Sequence, residues 1–265
     1  MSMTTTSMFE DKHKPQRFID LVLAHDAVRQ RLALYAQYQM HGNLLLHGPY
    51  GTAKSVTAQV IVRERLIACG IPDGNQALVH ALAIKSNVMQ VENHINLLLT
   101  TNWADRHPYL VVDEIDQLTA LEQKQLRAVL DTYTVVKLIG TTNHLHDVDG
   151  GLRSRSDCVS VMPPAAQDWL SRARQILAAE NVVVADAALL AVLGLSQDAR
   201  ELMRKLEEIV IRARQKQAQP VVAPVLSVVP NTVTPVMPIA AMATTVTPVA
   251  SMVPNTITQN GVNTP

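Results

Sequence analysis

The chain has 265 residues with 23 basic and 23 acidic side chains, so its formal net charge is zero. A balanced charge gives no overall field that would attract nucleic acid or a membrane surface, so any such contact has to come from a local patch. The length allows one large domain or two modest ones. Two widely separated cysteines, Cys69 and Cys158, argue against a disulfide or zinc framework and favour a reducing, cytoplasmic location.

The first residues predict neither a targeting signal nor a membrane anchor. The Thr-, Ser- and Met-rich start lacks the basic and apolar regions of a signal peptide. A run of apolar residues long enough for a transmembrane helix is also missing from the sequence, and we expect no membrane contact. We predict a disordered N-terminus over residues 1–11, followed by a basic extended segment over residues 12–18.

Buried strands and helices then alternate along the chain. Apolar spacing predicts a helix over residues 26–40 that ends at His41-Gly42-Asn43, then a strand at residues 44–46. The remaining predicted strands span residues 76–84, 109–116, 135–143 and 158–161, and the remaining helices span residues 54–68, 88–100 and 119–131. This alternation predicts an α/β domain over residues 12–163, with a parallel sheet between helices.

The pattern changes twice after this domain. Pro163-Pro164 marks a boundary, and the next residues predict a small helical domain over residues 164–217 with three helices, at 165–180, 186–195 and 198–217. Residues 218–265 contain no charged and no aromatic side chain, and they repeat Val-Pro-Asn-Thr. Repeated prolines break helices and sheets, so we predict a disordered tail there.

The stretch after the strand at residues 44–46 has the composition of a phosphate-binding loop. Glycines let backbone N–H groups turn towards an anion, and a helix begins directly afterwards. The Lys54 ammonium is expected to reach the phosphates, and the Ser55 hydroxyl is expected to bind Mg²⁺. The alternative is a glycine-bearing turn before an ordinary helix. The candidate nucleotide-binding residues are Gly48, Pro49, Tyr50, Gly51, Thr52, Ala53, Lys54 and Ser55.

Polar residues follow two later strands. Asp113 and Glu114 end the third predicted strand, at the sheet edge where ligands bind in parallel sheets. Asp113 is predicted to hold Mg²⁺, and Glu114 to activate a water for attack on the γ-phosphate. Asn143 ends the fourth strand and is predicted to position that water. The alternatives are a solvated acidic turn and a plain turn-forming asparagine.

Two arginines complete the candidate site. Arg155 follows a glycine pair and is a candidate to stabilise the transition state on a neighbouring subunit's nucleotide. Arg200 begins the third helix of the small domain and is a candidate to contact the nucleotide from the other side. The alternatives are a basic surface turn for Arg155 and an ordinary helical ion pair for Arg200.

These segments together resemble AAA+ ATPases, and within them the clamp-loader group of replication factor C small subunits and their bacteriophage counterparts. The resemblance covers roughly residues 12–214. Residues 44–52 resemble the group's phosphate loop, and Val112 to Asp116 resemble its Walker B acids. The sequence Thr142-Asn143 resembles its sensor 1.

Two arginine-bearing segments carry the resemblance further. Leu152-Arg153-Ser154-Arg155 resembles the segment whose second arginine acts in trans, and Asp198-Ala199-Arg200 resembles sensor 2. The resemblance implies an AAA+ P-loop sheet followed by a three-helix lid, with ATP and Mg²⁺ bound between them. It also implies assembly with identical or homologous AAA+ subunits, and action on a sliding clamp and primed DNA.

The chain departs from the group's pattern at several places. Ala53 replaces a loop glycine, as in minichromosome-maintenance helicases, and this is tolerable if that residue has helical dihedrals. Ser156 replaces the usual cysteine, and Leu23-Ala24 replaces Gly-Gln. The Pro/Val/Thr tail stands where the group has a helical collar, which leaves pentamer assembly and clamp loading open.

Three other interpretations remain open at the level of sequence. Lys85 and Arg63 are candidate DNA contacts, with plain solvated charges as the alternative. The chain is alternatively a nucleotide-binding scaffold with little turnover, or an AAA+ protein with another role, such as a helicase loader. A protein remodeller generally needs an aromatic pore loop, and residues 76–102 contain no aromatic side chain.

Overall fold

The computed structural model describes residues 8–70, 81–82, 91, 93, 95–96 and 109–218. Its strands form one parallel sheet in the order β2-β3-β4-β1-β5. The five strands are β1 (Asn43–His47), β2 (Ala81–Leu82), β3 (Tyr109–Val112), β4 (Lys137–Thr142) and β5 (Ser156–Ser160).

Helices pack on both faces of this sheet, and further helices follow it in the chain. The α-helices are α1 (Met8–His13), α2 (Asp26–Ala36), α3 (Lys54–Ala68), α4 (Ala120–Thr132), α5 (Gly150–Ser154), α6 (Ala166–Ala179), α7 (Asp186–Leu193) and α8 (Ala199–Ala218). Short 3-10 helices span Phe18–Asp20, Ile115–Gln117 and Leu145–Asp147. Val91 and Ile95 are also helical and fully buried, within the helix predicted at residues 88–100.

Neighbouring residues of β1 face opposite sides of the sheet. Leu44 and Leu46 pack in a cluster that contains residues of α2 and α3, whereas Leu45 packs in a cluster that contains residues of α4 and α5. All three leucines are at most 1% exposed. A strand that is buried on both faces reads as a continuous apolar run, as this one does. The predicted parallel sheet between two helical layers is therefore confirmed.

The last three helices have a core of their own. The side chains of Trp169, Ile176, Leu189 and Leu206 belong to this cluster and are at most 8% exposed. The three helices α6 to α8 agree with the three-helix lid expected from the sequence. Within the described residues, no helix is both long and apolar enough to cross a membrane.

The N-terminal prediction was wrong for residues 8–13. These residues were assigned to a disordered start and a basic extended segment, but they form α1. Phe9 packs against the core of the lid. The buried Glu180 carboxylate accepts a hydrogen bond from Lys12 Nζ at 2.7 Å and lies 2.7 Å from His13 Nε2. These contacts with the lid hold a segment whose local sequence gave no helical signal.

Helix α2 ends earlier than its apolar spacing predicts. The helix stops at Ala36 rather than Met40, because Tyr38 adopts a left-handed conformation with φ 61°. The Tyr38 ring lies against the guanidinium of Arg65, which is buried in the core at 4.0 Å from the ring centroid. Arg65 also donates to the carbonyl oxygen of Met40 at 2.9 Å. The cation–π contact with Arg65 thus stabilises the left-handed conformation of Tyr38, and the helix ends there rather than at Gly42.

The helix predicted at residues 119–131 agrees with α4. Thr119 caps α4 with a reciprocal pair of hydrogen bonds: its hydroxyl accepts from the Glu122 N–H, and its own N–H donates to the Glu122 carboxylate. Strand β3 is shorter than predicted, because a 3-10 turn begins at Ile115.

Some predictions concern residues outside the described part of the chain. They include Lys85, residues 1–7, residues 219–265 and most of the strand predicted at 76–84.

Candidate functional site

The candidate phosphate loop connects β1 to α3 at one edge of the sheet. Gly48 and Gly51 have φ values of 147° and 75°, which favour glycine. A Cβ at Gly48 would lie 2.3 Å from the Val161 carbonyl oxygen, so only glycine fits between the loop and the residue after β5. Pro49 and Tyr50 are exposed, and the loop continues through Thr52, which is 4% exposed.

Ala53 departs from the expectation made for it. An alanine was expected to be tolerable there with helical dihedrals, but Ala53 has φ 60° and ψ 27°, in the left-handed region. This conformation costs an alanine about 1 kcal/mol relative to a right-handed one. Ala53 directly precedes α3, and its carbonyl oxygen accepts from the Thr57 N–H at 2.8 Å. The loop therefore holds backbone strain beside the helix N-terminus.

Lys54 is the buried cation of the loop. Its side chain is folded back, and Nζ donates to the carbonyl oxygens of Gly48 at 2.9 Å and of Pro49 at 2.6 Å. The residue is only 7% exposed, and this burial lowers the pKa of the ammonium. The carboxylates of Asp116 and Glu114 act in the opposite direction, which places the acidic turn after β3 close to the loop.

Asp113 and Glu114 follow β3 where the sequence placed them. Asp113 is half-buried and Glu114 is exposed, with Glu114 in a left-handed conformation at φ 54° and ψ 51°. The Thr141 hydroxyl joins the two residues: it donates to Asp113 Oδ1 and accepts from the Glu114 N–H, both at 3.0 Å. Strand β4 thus supports both acids from the neighbouring position in the sheet.

The polar end of β4 lies beside the loop. Asn143 is half-buried and follows Thr142, whose hydroxyl accepts from the His144 N–H at 3.0 Å. The next residue, His144, places Nε2 3.2 Å from the Tyr50 hydroxyl. Tyr50 and His144 therefore connect the candidate phosphate loop to the segment that carries Asn143.

The lid contacts the loop through the first residues of α8. The Ala199 N–H donates to the Gly51 carbonyl oxygen at 2.9 Å, and the Asp198 carboxylate lies against Gly51. Asp198 also accepts from the Arg200 N–H at 2.7 Å and so caps α8. Arg200 is exposed, and its charge is close enough to lower the pKa of Lys54.

Arg155 lies elsewhere. It follows α5, with Nε 3.0 Å from Asp131 Oδ1 on α4, and it donates to the Gly151 carbonyl oxygen at 3.1 Å. Its side chain is 47% exposed. The hydrogen bonds that the described residues give Arg155 do not include the phosphate loop. The contacts of Arg155 are therefore separate from those that join the loop to the acidic turn, the end of β4 and the start of α8.

The donor atoms fit a magnesium nucleotide better than a metal bound by protein alone. Among the described residues, no three His, Cys, Asp or Glu side chains form a cluster that could hold a metal ion. Mg²⁺ in phosphate-transfer sites takes one or two protein oxygens and completes its shell with phosphate oxygens and water. Asp113 and Ser55 are oxygen donors of this kind, at the same edge of the sheet.

One protein-family model matches the region that contains this site. The model of the "ATPase family associated with various cellular activities (AAA)" matches residues 44–164, from β1 through β5 to the start of the lid. Residues 44–164 are therefore similar to AAA domains. The match contains the loop, both acids, Asn143 and Arg155, whereas Arg200 lies beyond it.

Curated relatives of the chain include replication factor C subunits. The chain is 25% identical over 207 residues to probable replication factor C subunit 5 of Dictyostelium discoideum, covering 75% of this chain and 58% of the relative. It is also 25% identical over 224 residues to replication factor C small subunit 2 of Pyrobaculum aerophilum, covering 83% and 68%. The chain thus spans about 58% to 68% of the length of these relatives.

A solved structure supports the fold. The Holliday junction branch migration motor RuvB of Thermotoga maritima superposes with a TM-score of 0.57 and 17% sequence identity. The match covers 77% of this chain and 72% of RuvB. At this identity the likeness concerns the AAA+ fold alone, which agrees with the fold class expected from the sequence.

Two contributors to this site, Thr141 and His144, were not predicted from the sequence. Tyr50 was predicted as part of the loop, but its contact with His144 was not. The role of Thr141 becomes evident only from the strand register: Val112 pairs with Gly140, so the next residues, Asp113 and Thr141, are neighbours. The DNA-contact candidate Arg63 is half-buried and hydrogen-bonded to Gln16.

His47, the last residue of β1, predicts a pH dependence of stability. Burial and the nearby Lys54 ammonium lower the pKa of His47 below its usual 6.5. The unfolded chain therefore binds this proton more readily, so the free energy of unfolding falls as the pH falls through 6.5 towards the folded pKa. Urea unfolding at pH values from 7.5 to 5.5, taken as roughly spanning the titration of histidine, measures the slope.

The His47→Gln variant should lose part of that slope. The His25→Gln variant, whose side chain is exposed just before α2, serves as the matched control and should keep the wild-type slope. Equal slopes in wild type and His47→Gln would show that the environment of His47 does not contribute.

Proposed function

We propose that this chain binds ATP with Mg²⁺ at the loop of residues 48–55 and hydrolyses it as a subunit of an AAA+ oligomer. The observation that carries the proposal is the buried Lys54 ammonium, held over the loop carbonyls of Gly48 and Pro49 and facing the acids after β3. A buried cation with no ion-pair partner within hydrogen-bonding distance among the described residues suits an anionic ligand that takes the place of those carbonyls.

Each candidate residue then has a role in the proposed reaction. Asp113 and Ser55 hold the metal, which supplies charge neutralisation for the phosphates. Glu114 accepts a proton from the attacking water, and Asn143 orients that water. Arg200 contacts the phosphates from the lid. It lies at the N-terminus of α8, which already contacts the loop at Gly51.

Arg155 supplies the trans-acting charge in this proposal. Arg155 is exposed and contacts Asp131 rather than the phosphate loop of its own chain. This position suits a side chain that reaches a nucleotide on the next subunit. An arginine supplied in trans makes turnover depend on assembly, because an isolated subunit has an incomplete site.

The similarity to replication factor C subunits supports a role in DNA replication. We assign the chain a clamp-loader-like role, with identical or homologous AAA+ subunits, a sliding clamp and primed DNA as partners. The test is ATP turnover of the purified full chain, with and without a clamp and primed DNA. Stimulated turnover supports the role, whereas tight ATP binding without turnover under every condition favours a scaffold.

A mixing experiment tests the proposed role of Arg155. The Arg155→Ala variant should keep its nucleotide affinity and lose about 1000-fold in turnover, because the trans arginine acts only on the transition state. The Glu114→Gln variant should also be inactive, for a different reason. Mixing the two variants should restore turnover, since some interfaces then combine an intact Glu114 with an intact Arg155.

The Arg31→Ala variant is the matched control for this experiment. Arg31 is 48% exposed and forms an ion pair with Asp157 at 2.7 Å, much like Arg155 with Asp131. It should turn over ATP at the wild-type rate. If Arg155→Ala is as active as Arg31→Ala, or if mixing restores nothing, Arg155 does not act in trans.

A further inference from the structure

One hydroxyl group on β4 contacts both acids that follow β3. Thr141 Oγ1 lies 3.0 Å from Asp113 Oδ1 and 3.0 Å from the Glu114 amide nitrogen. The geometry is reciprocal: the hydroxyl donates its proton to the carboxylate and accepts the N–H of the next residue. A single side chain therefore contacts the proposed metal ligand and the backbone of the proposed base.

The position of Thr141 is rigid. It pairs with Leu46 of β1, follows Gly140, the last residue of β4 that pairs with β3, and is 2% exposed. The β-branched threonine side chain is restricted at χ1, so its hydroxyl has few alternative directions. A Cβ at Gly140 would lie 2.2 Å from the Ile115 side chain, so the strand is closely packed against the acidic turn at this level.

Glu114 needs such a support. Its left-handed backbone, at φ 54° and ψ 51°, is strained for a residue with a side chain. Its carbonyl oxygen accepts from the Gln117 N–H at 2.9 Å, which begins the 3-10 turn. The bond from its own N–H to Thr141 is the second anchor of this conformation. Together the two bonds fix the direction in which the Glu114 side chain leaves the strand end.

Asp113 is oriented by the same hydroxyl. Within the described part of the chain, Oδ1 accepts the Thr141 hydroxyl proton, and the structure gives Oδ2 no hydrogen bond. The carboxylate is thus held through one oxygen while the other remains available to a ligand. Hydrogen bonds of this kind to a metal-binding carboxylate set its orientation and its affinity for the ion.

From this arrangement we infer that Thr141 is a positioning residue of the proposed ATPase site. It aims the Asp113 carboxylate at the Mg²⁺ of the nucleotide and holds Glu114 in its strained conformation. The inference rests on the function proposed above. It goes further because it assigns a role to a residue outside the loop, the two acids, Asn143 and the two arginines.

The Thr141→Val variant tests the inference through metal-linked affinity. Valine keeps the shape and removes only the hydroxyl. Calorimetric titration with a non-hydrolysable ATP analogue, once with Mg²⁺ and once with a chelator, gives the gain in affinity that the metal provides. We expect this gain to fall about 10-fold to 100-fold in Thr141→Val. The affinity without metal should stay at the wild-type value, and Thr141→Ser should restore the gain.

The Thr57→Val variant is the matched control. Thr57 is a threonine on α3 that is 1% exposed, and its hydroxyl has no hydrogen-bond partner among the described residues. The same substitution there removes a buried hydroxyl without breaking a bond. It should leave the metal-linked gain unchanged, which separates positioning from a general response of the core to valine.

The outcomes separate this inference from the proposed function. A wild-type protein that binds the magnesium nucleotide but does not turn over ATP would overturn the proposed hydrolysis, and the metal-linked gain in Thr141→Val would still decide the role of Thr141. An equal gain in wild type and Thr141→Val would overturn the inference, including the case in which neither shows a gain. A loss that Thr141→Ser does not restore would overturn it as well.

Discussion

Replacing Lys54 with methionine is expected to abolish ATP turnover and to weaken nucleotide binding by about 100-fold, since a charge-assisted contact is worth about 3 kcal/mol. Methionine keeps most of the unbranched stem and removes the ammonium. The contacts that Lys54 makes with the carbonyl oxygens of Gly48 and Pro49 are lost as well. No other cation of the described loop can replace it.

The same substitution should leave the stability of the nucleotide-free protein unchanged or raise it. Burial lowers the pKa of Lys54, which means that the folded protein holds the charged form less favourably than the unfolded chain does. Removing that charge removes this cost at neutral pH. A lysine that is retained at a cost in stability is expected where a ligand needs it.

Two measurements on each variant check this prediction. Calorimetry with the magnesium nucleotide gives the affinity, and thermal unfolding without nucleotide gives the stability. The Lys124→Met variant, which changes an exposed lysine on α4, should match wild type in both. Nucleotide binding at wild-type strength in Lys54→Met would exclude the assigned role, and a large loss of stability would show that Lys54 mainly supports the fold.

The part of this site that the sequence predicts best is local in the chain. A strand, a glycine loop and a helix start follow one another between Asn43 and Ala68, and their bounds agree with the spacing of apolar residues and glycines. The acids Asp113 and Glu114 are predicted equally well, because a buried parallel strand delivers its next residues to the ligand edge. Such arguments need only neighbouring residues and the direction of the strands.

Contacts between distant segments are harder to predict. The left-handed conformation of Ala53 and the early end of α2 at Ala36 contradict local propensity, and both depend on what packs nearby. Helix α1 is stable because Glu180, far along the chain, accepts hydrogen bonds from it. Burial of a charged group in a tertiary contact leaves no periodic pattern that a single sequence would display.

The bridging hydroxyl of Thr141 lies between these cases. Strand order decides that β4 is the neighbour of β3, and the sequence order of strands does not fix it. Once the register is known, Thr141 follows from counting one residue past the pair of Val112 and Gly140. The residue type was visible in the sequence, but its partner was not.

A Gly48→Ala variant is expected to lose about 3 kcal/mol of stability, as the sum of backbone strain and a steric clash. The strain arises because φ is 147° at this position. The clash arises because the added Cβ would lie 2.3 Å from the Val161 carbonyl oxygen, which is backbone and has little room to yield. The Val161 N–H also donates to the His47 carbonyl oxygen at 2.7 Å, so β5 and the loop are closely joined here.

Nucleotide affinity should fall along with stability, because the loop moves to relieve the clash. Gly48 itself provides a carbonyl contact to Lys54, and displacing the loop from the end of β5 shifts the amides that would face the phosphates. Urea unfolding and calorimetric titration with the magnesium nucleotide measure the two effects on the same sample. A stable Gly48→Ala protein with full affinity would mean that the loop is not confined by Val161.

Two other glycines separate the causes of this loss. Gly70 also has a positive φ, 77°, but an added Cβ there has no neighbour within 4 Å, so Gly70→Ala measures strain alone and should cost about 1 kcal/mol. Gly42 has an ordinary φ, and its added Cβ would meet the Tyr35 hydroxyl at 3.7 Å, so Gly42→Ala should be close to neutral. If Gly48→Ala lowers the free energy of unfolding no more than Gly70→Ala does, the clash contributes nothing to the loss of stability. A larger cost, joined to a loss of affinity that neither control shows, ties the close approach of the loop and β5 to nucleotide binding.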